Sequence, residues 1–128
     1  MSAGSKTILI VDDAALVRAY YRSILEGAGF EVEEALNGLE ALETLLARTV
    51  DLLVVDINMP QMDGLTFLRV LREREDPLAS IPALVTSTES AAVDFAAARA
   101  AGANFYLVKP VERGQLVEFA RMLCGVSP

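Results

Sequence analysis

Four residues that could do chemistry each stand directly after a short hydrophobic run. Asp12 and Asp13 follow Ile8-Leu9-Ile10-Val11, Asp56 follows Leu52-Leu53-Val54-Val55, and Lys109 follows Phe105-Tyr106-Leu107-Val108. A fourth run, Ala83-Leu84-Val85, leads into three hydroxyls, Thr86-Ser87-Thr88. Three carboxylates brought close together repel and resist ionising. A divalent cation removes that conflict, and an oxygen-only donor set suits Mg²⁺ or Mn²⁺. Each residue also has a plainer reading. An aspartate, serine or threonine after a strand is often the N-cap of the next helix, and a strand-end lysine is often a solvated charge. Asp56 fits that reading least, because Asn58-Met59-Pro60 makes the next step a loop.

The composition narrows the chemistry further. The 128 residues are 53% hydrophobic, enough for one domain and too many for a disordered chain. Eighteen acidic residues against eleven basic ones give a net charge of −7, which argues against nucleic acid and anionic membrane surfaces as partners. Histidine is absent, which removes Ser–His–Asp and Cys–His catalysis and every His-bearing zinc site. The single cysteine, Cys124, allows no internal disulfide. No apolar run exceeds four residues, so no membrane span is expected, and the start Met-Ser-Ala-Gly-Ser-Lys has no hydrophobic signal region. A cytoplasmic location is the expectation.

The elements that must position these groups alternate between two periods. The runs at 8–11, 30–34, 52–55, 83–85 and 105–108 read as strands. Continuous apolar runs fit parallel strands covered on both faces, and the more polar 30–34 fits an edge. Between them lie helical stripes: Leu16, Val17, Tyr20, Tyr21, Ile24 and Leu25; Leu42, Leu45 and Leu46 after a turn at Asn37-Gly38; Leu65, Leu68 and Leu71 after Asp63-Gly64. An alanine-rich stretch from Ala91 to Ala101 stops at Gly102, and Leu116, Phe119, Ala120 and Leu123 make the last stripe. Five β-α repeats predict an α/β fold, a flavodoxin-like (βα)5 doubly wound five-stranded parallel sheet with helices on both faces. One domain is expected over 7–124, with loose tails at 1–6 and 125–128. In such sheets ligands bind beyond the carboxyl ends of the strands, where the four residues and the hydroxyls fall.

At these positions the chain resembles the receiver domains of two-component response regulators. The resemblance runs from Thr7 to about Leu123. It rests on Ile-Leu-Ile-Val-Asp-Asp at 8–13, Val-Asp-Ile-Asn-Met-Pro at 55–60 with Met62-Asp63-Gly64, and Leu-Val-Lys-Pro at 107–110. Within that family the chain looks like the short single-domain receivers of the chemotaxis type. The resemblance implies that Asp56 is the phospho-acceptor and takes a phosphoryl group from a phosphohistidine on a partner histidine kinase or phosphotransfer protein. It implies that Asp13 ligates Mg²⁺ (or Mn²⁺) directly, that Asp12 holds it largely through water, and that the backbone carbonyl of Asn58 completes the protein ligands beside Asp56. Lys109 would pair with a phosphoryl oxygen. The family pattern puts the switch hydroxyl five residues after Pro82, at Ser87, with Thr88 where a small residue is usual; a register slip of one would give Thr86. Tyr106 would be the aromatic that rotates inward, with a tyrosine covering the sheet edge as its plainer reading. Asn58 and Glu89 would tune the lifetime of the phosphorylated state toward short.

Such a chain is a switch and not an enzyme acting on other substrates, catalysing only its own phosphotransfer and dephosphorylation. Output is expected through a downstream protein bound on the face of helix 4, strand 5 and helix 5, where Phe105 and the smooth helix 4 depart from the usual pattern. It would be a monomer or a phosphorylation-linked dimer. Rival readings are a receiver-like docking module that is never phosphorylated, a haloacid-dehalogenase-type phosphatase, and a flavodoxin-like nucleotide binder. The phosphatase would need a second aspartate where Asn58 stands, and the nucleotide binder a Gly-rich loop after the first strand.

Overall fold

A computed structural model describes residues 5–59 and 62–126; Pro60 of the 55–60 motif, and residues 1–4 and 127–128 of the expected tails, lie outside them. Five strands, β1 (Thr7–Val11), β2 (Glu31–Ala35), β3 (Leu52–Asp56), β4 (Ala83–Ser87) and β5 (Phe105–Val108), form one sheet in the order β2-β1-β3-β4-β5. Every pairing is parallel, with Ile8 opposite Val32 and Leu52, Val54 opposite Leu84, and Val85 opposite Tyr106. The connecting helices are α1 (Ala15–Gly27), α2 (Gly38–Ala47), α3 (Gly64–Arg72), α4 (Ala92–Ala101) and α5 (Arg113–Cys124). A short 3₁₀ turn, Pro77–Ser80, precedes β4.

Because successive strand side chains point to opposite faces, the sheet builds two cores. Ile8, Ile10, Leu52, Val54 and Leu84 meet α1 and α5 on one side. Leu9, Val11, Leu53, Val55 and Val85 meet α2, α3 and α4 on the other. The fold is therefore the doubly wound α/β sheet expected, with the more polar β2 at one edge and β5 at the other. Among the described residues, no helix is long and apolar enough to cross a membrane.

The helical stripes need correction. In α1 the buried face is Tyr21, Ile24 and Leu25, while Leu16 is 86% exposed and Tyr20 47%. At 3.6 residues per turn, five residues place Leu16 roughly 140° away from Tyr21, on the far side of the helix. Leu46 is likewise 67% exposed beside the buried Leu45. Asn37 does not make a free turn; it caps α2, its side chain accepting from the Glu40 N–H at 2.8 Å. Helix α4 ends at Gly102 (φ +106°), a conformation that favours glycine.

The chain crosses from one side of β1 to the other between β2 and β3. The ends of β1 and β3 therefore flank the switch point of strand order, where open α/β sheets hold ligands.

Candidate functional site: an acidic pocket with one lysine

Asp12 leaves β1 with its N–H donating to the Ala35 carbonyl at 3.0 Å, and its Oδ1 accepts from the Ala14 N–H at 2.9 Å. This turn aims Asp12 into the pocket, where it is 1% exposed, and leaves Asp13 facing solvent. Neither aspartate caps α1, whose N-cap is Ala14. Asp56 is the last residue of β3 and buried; its Oδ1 accepts from the Asn58 N–H at 3.3 Å. One carboxylate oxygen each from Asp12, Asp13 and Asp56 lies within 4.8 Å of the other two. Lys109 reaches in from the end of β5, its Nζ 3.3 Å from both Asp12 Oδ2 and Asp56 Oδ1. The Lys109–Pro110 peptide is cis.

Three carboxylates against one ammonium leave an excess of two negative charges, with Asp12 and Asp56 buried. Burial raises the Asp56 carboxyl above its ordinary range, and the Asp12 carboxylate pushes the same way. Lys109 and the Asn58 N–H pull it back only in part. The excess charge and the all-oxygen donor set are what a hard divalent cation such as Mg²⁺ takes up, and exposed Asp13 leaves the pocket open to one.

The three hydroxyls go to different places. Thr86 stands opposite Asp56 in the sheet and, in step with Leu84, faces α1. Its hydroxyl is sealed from solvent and lies beside the Tyr21 phenol without meeting hydrogen-bond geometry. Burial pushes that phenol up to about 12, helped by the Asp12 carboxylate. Ser87, also fully buried, is in step with Val85 on the other face, and its Oγ accepts from the Glu89 N–H at 3.0 Å. Thr88 and Glu89 are exposed on the rim. The Tyr106 hydroxyl donates to the Glu89 carbonyl at 2.9 Å, and its half-buried ring meets Phe95 of α4 edge-on, centroids 4.6 Å apart. A chain of contacts thus runs from Ser87 through Glu89 and Tyr106 to α4.

The loop after Asp56 is held from below. The Gly64 N–H donates to the Ile57 carbonyl at 3.0 Å, and Asp63 caps α3 by accepting from the Thr66 N–H at 3.0 Å. A side chain at Gly64 would run into the Asp56 main-chain carbonyl, and into Val55 Cγ1 at 2.9 Å. The Asp-Gly pair therefore belongs to the loop after Asp56 as well as to the helix start.

Two supporting residues are not visible from motif spacing. Tyr21 reads only as one more apolar position in a helical stripe, yet its phenol backs the acidic pocket. Arg18 reads as a surface charge, yet its Nη1 donates to the Asp12 carbonyl at 2.7 Å. A basic residue in the second turn of the helix that follows an acidic strand end is the available signal for it.

With this geometry in view, the relatives are informative. Residues 8–121 match the response regulator receiver domain family, and the chain belongs to it. It is 38% identical over 119 residues to the transcriptional regulatory protein PrrA of Mycobacterium tuberculosis, covering 93% of this chain and 50% of that protein. It is 32% identical over 116 residues to the CAI-1 autoinducer sensor kinase/phosphatase CqsS of Vibrio cholerae, covering 91% of this chain and 17% of that protein. The chain thus spans half or less of the curated relatives it matches. Among solved structures, the chemotaxis response regulator CheY4 of Vibrio cholerae superposes with a TM-score of 0.85 at 31% identity, covering 92% of this chain and 98% of that one. The family is a signalling switch of two-component systems; its members bind Mg²⁺ at an acidic pocket and interact with histidine kinases and downstream targets.

Proposed function

We propose that the chain is a response regulator receiver phosphorylated on Asp56 by a partner phosphohistidine in a Mg²⁺-dependent reaction. The observation that carries this reading is Lys109, whose ammonium bridges the buried Asp12 and Asp56 carboxylates at 3.3 Å while Asp13 stays open to solvent. The Asp56 carboxylate is the nucleophile: an Asp56 O–P bond forms, the donor's N–P bond breaks, and the electron pair returns to the imidazole. Asp56 is buried, and Lys109 is placed to pair with a phosphoryl oxygen. Asp12, Asp13, Asp56 and the Asn58 carbonyl would hold the Mg²⁺, which supplies charge neutralisation over the transferring oxygens.

Ser87 is the switch hydroxyl and Tyr106 the aromatic that reports it, because the two share one sheet face and are joined through Glu89. Phosphorylation shifts an existing equilibrium between two arrangements of this path. The target-binding face is α4–β5–α5, where Phe105 is 40% exposed and lies against Phe119 at 4.9 Å between centroids. Phe105→Asp should weaken target binding and leave phosphorylation intact. Asn58, two residues after Asp56, and Glu89, two after Ser87, are both exposed and give a short-lived phosphorylated state; survival for many hours in Mg²⁺ would count against that.

Intact-mass spectrometry after incubation with acetyl phosphate tests the central claim. One added phosphoryl group is expected in Mg²⁺, and none in chelator or in Asp56→Asn. No gain in the wild type under any condition would leave a docking module.

A further inference from the structure

We propose that Arg18 is a positioning residue that sets the geometry of the metal-ligating turn by holding the Asp12–Asp13 peptide; this rests on the metal reading above. The Asp13 carboxylate faces solvent, so its place is set by the main chain on either side of it. The Ala14 N–H is held by Asp12 Oδ1 at 2.9 Å. The Asp12 carbonyl, on the other side, is held by Arg18 Nη1 at 2.7 Å. Both peptides flanking Asp13 are therefore fixed, one by Asp12 itself and one by the guanidinium.

Arg18 is in turn held on its second edge. Its Nε donates to Glu34 Oε1 at 2.8 Å, and Glu34 Oε2 accepts from Arg22 Nε at 2.6 Å. Glu34 lies on β2, so the fork of Arg18 ties the pocket turn, α1 and the edge strand together. The side chain is 15% exposed, far less than Arg22 at 36%. Only a planar guanidinium can serve a carbonyl and a carboxylate from one fork; lysine keeps the charge and loses that geometry. Groups that orient metal ligands from outside the first ring typically govern affinity by about 10–100-fold when lost.

The test is Mg²⁺ titration calorimetry on the whole chain, with thermal melts of the same samples in chelator. Arg18→Met and Arg18→Lys should each weaken Mg²⁺ binding about tenfold. Arg22→Met removes two neighbouring ion pairs, to Glu34 and Glu26, without touching the Asp12 carbonyl. It should lower the melting temperature comparably while leaving affinity within about twofold. Arg18→Lys binding like the wild type would overturn the proposal, as would Arg22→Met losing as much affinity as Arg18→Met. A wild type that binds Mg²⁺ no better than Asp13→Asn would instead overturn the metal reading itself, and this one with it.

Discussion

Thr86 and Ser87 are consecutive in β4, yet their side chains lie on opposite faces of the sheet: Thr86 beside Tyr21 under α1, Ser87 bonded to the Glu89 N–H on the α4 side. Only the second is joined to Tyr106, through the Glu89 carbonyl at 2.9 Å. Ser87→Ala should therefore still accept a phosphoryl group on Asp56 while losing the response at Tyr106. Thr86→Val should keep the response. It should also be as stable as the wild type or more so, by about 1 kcal/mol, because it removes a sealed hydroxyl that lacks a partner. Amide chemical shifts of Tyr106 and α4, recorded with and without acetyl phosphate, separate the two; the reverse pattern would assign the switch to Thr86.

The surroundings of Asp56 disfavour its charged form. Its carboxyl is raised first by burial and then by Asp12, so the fold disfavours the charged form at neutral pH. Without divalent cations, Asp56→Asn should melt higher than the wild type by about 4 °C, roughly what 1 kcal/mol is worth at this size. Mg²⁺ should stabilise the wild type more than the variant and narrow the gap. Calorimetric melts in chelator and in Mg²⁺ measure both; an unchanged or lower melting temperature for Asp56→Asn in chelator would show that Lys109 already offsets the repulsion.

The positions of Asp12, Asp13, Asp56 and Lys109 are legible in the sequence because each ends a run that only a buried strand explains. Parallel strands then bring all such ends to one edge of the sheet. What is not legible depends on rotation and register. The stripe from Leu16 to Leu25 has helical spacing, but which residues face the sheet is decided by where α1 lands, and Leu16 ends outside the core. Thr86 and Ser87 differ by one residue, so their faces are fixed only once β4 is paired with β3 and β5. Arg18 carries no motif at all: its contact with the Asp12 carbonyl arises from the approach of α1 to the end of β1.

Gly64 tests how tightly the loop after Asp56 is held. A methyl group there meets the Asp56 carbonyl and Val55, which are sheet core and cannot move aside. Gly64→Ala should cost about 1–3 kcal/mol, the usual cost of overpacking. Gly27→Ala, at the end of α1 with nothing within 4 Å, should instead gain about 0.5–1 kcal/mol. Urea midpoints of both variants make the comparison; equal effects at the two sites would mean that the loop can shift.

Glu34 makes the α1–β2 ion pairs pH-dependent in a definite direction. The Arg22 hydrogen bond holds its carboxyl below the ordinary 4.5, Arg18 adds to this, and burial opposes both. A carboxyl depressed in the folded state contributes stability above its unfolded pKa, and that contribution is lost as pH falls through the folded value. The wild type should therefore exceed Glu34→Gln in stability at neutral pH by about 1 kcal/mol or less, since the network is partly exposed. The difference should hold down to about pH 4.5 and vanish below it. Urea unfolding of both proteins across that range measures it. A difference that persists unchanged into acid would mean that Glu34 acts through packing, with its charge contributing nothing to the hold on Arg18.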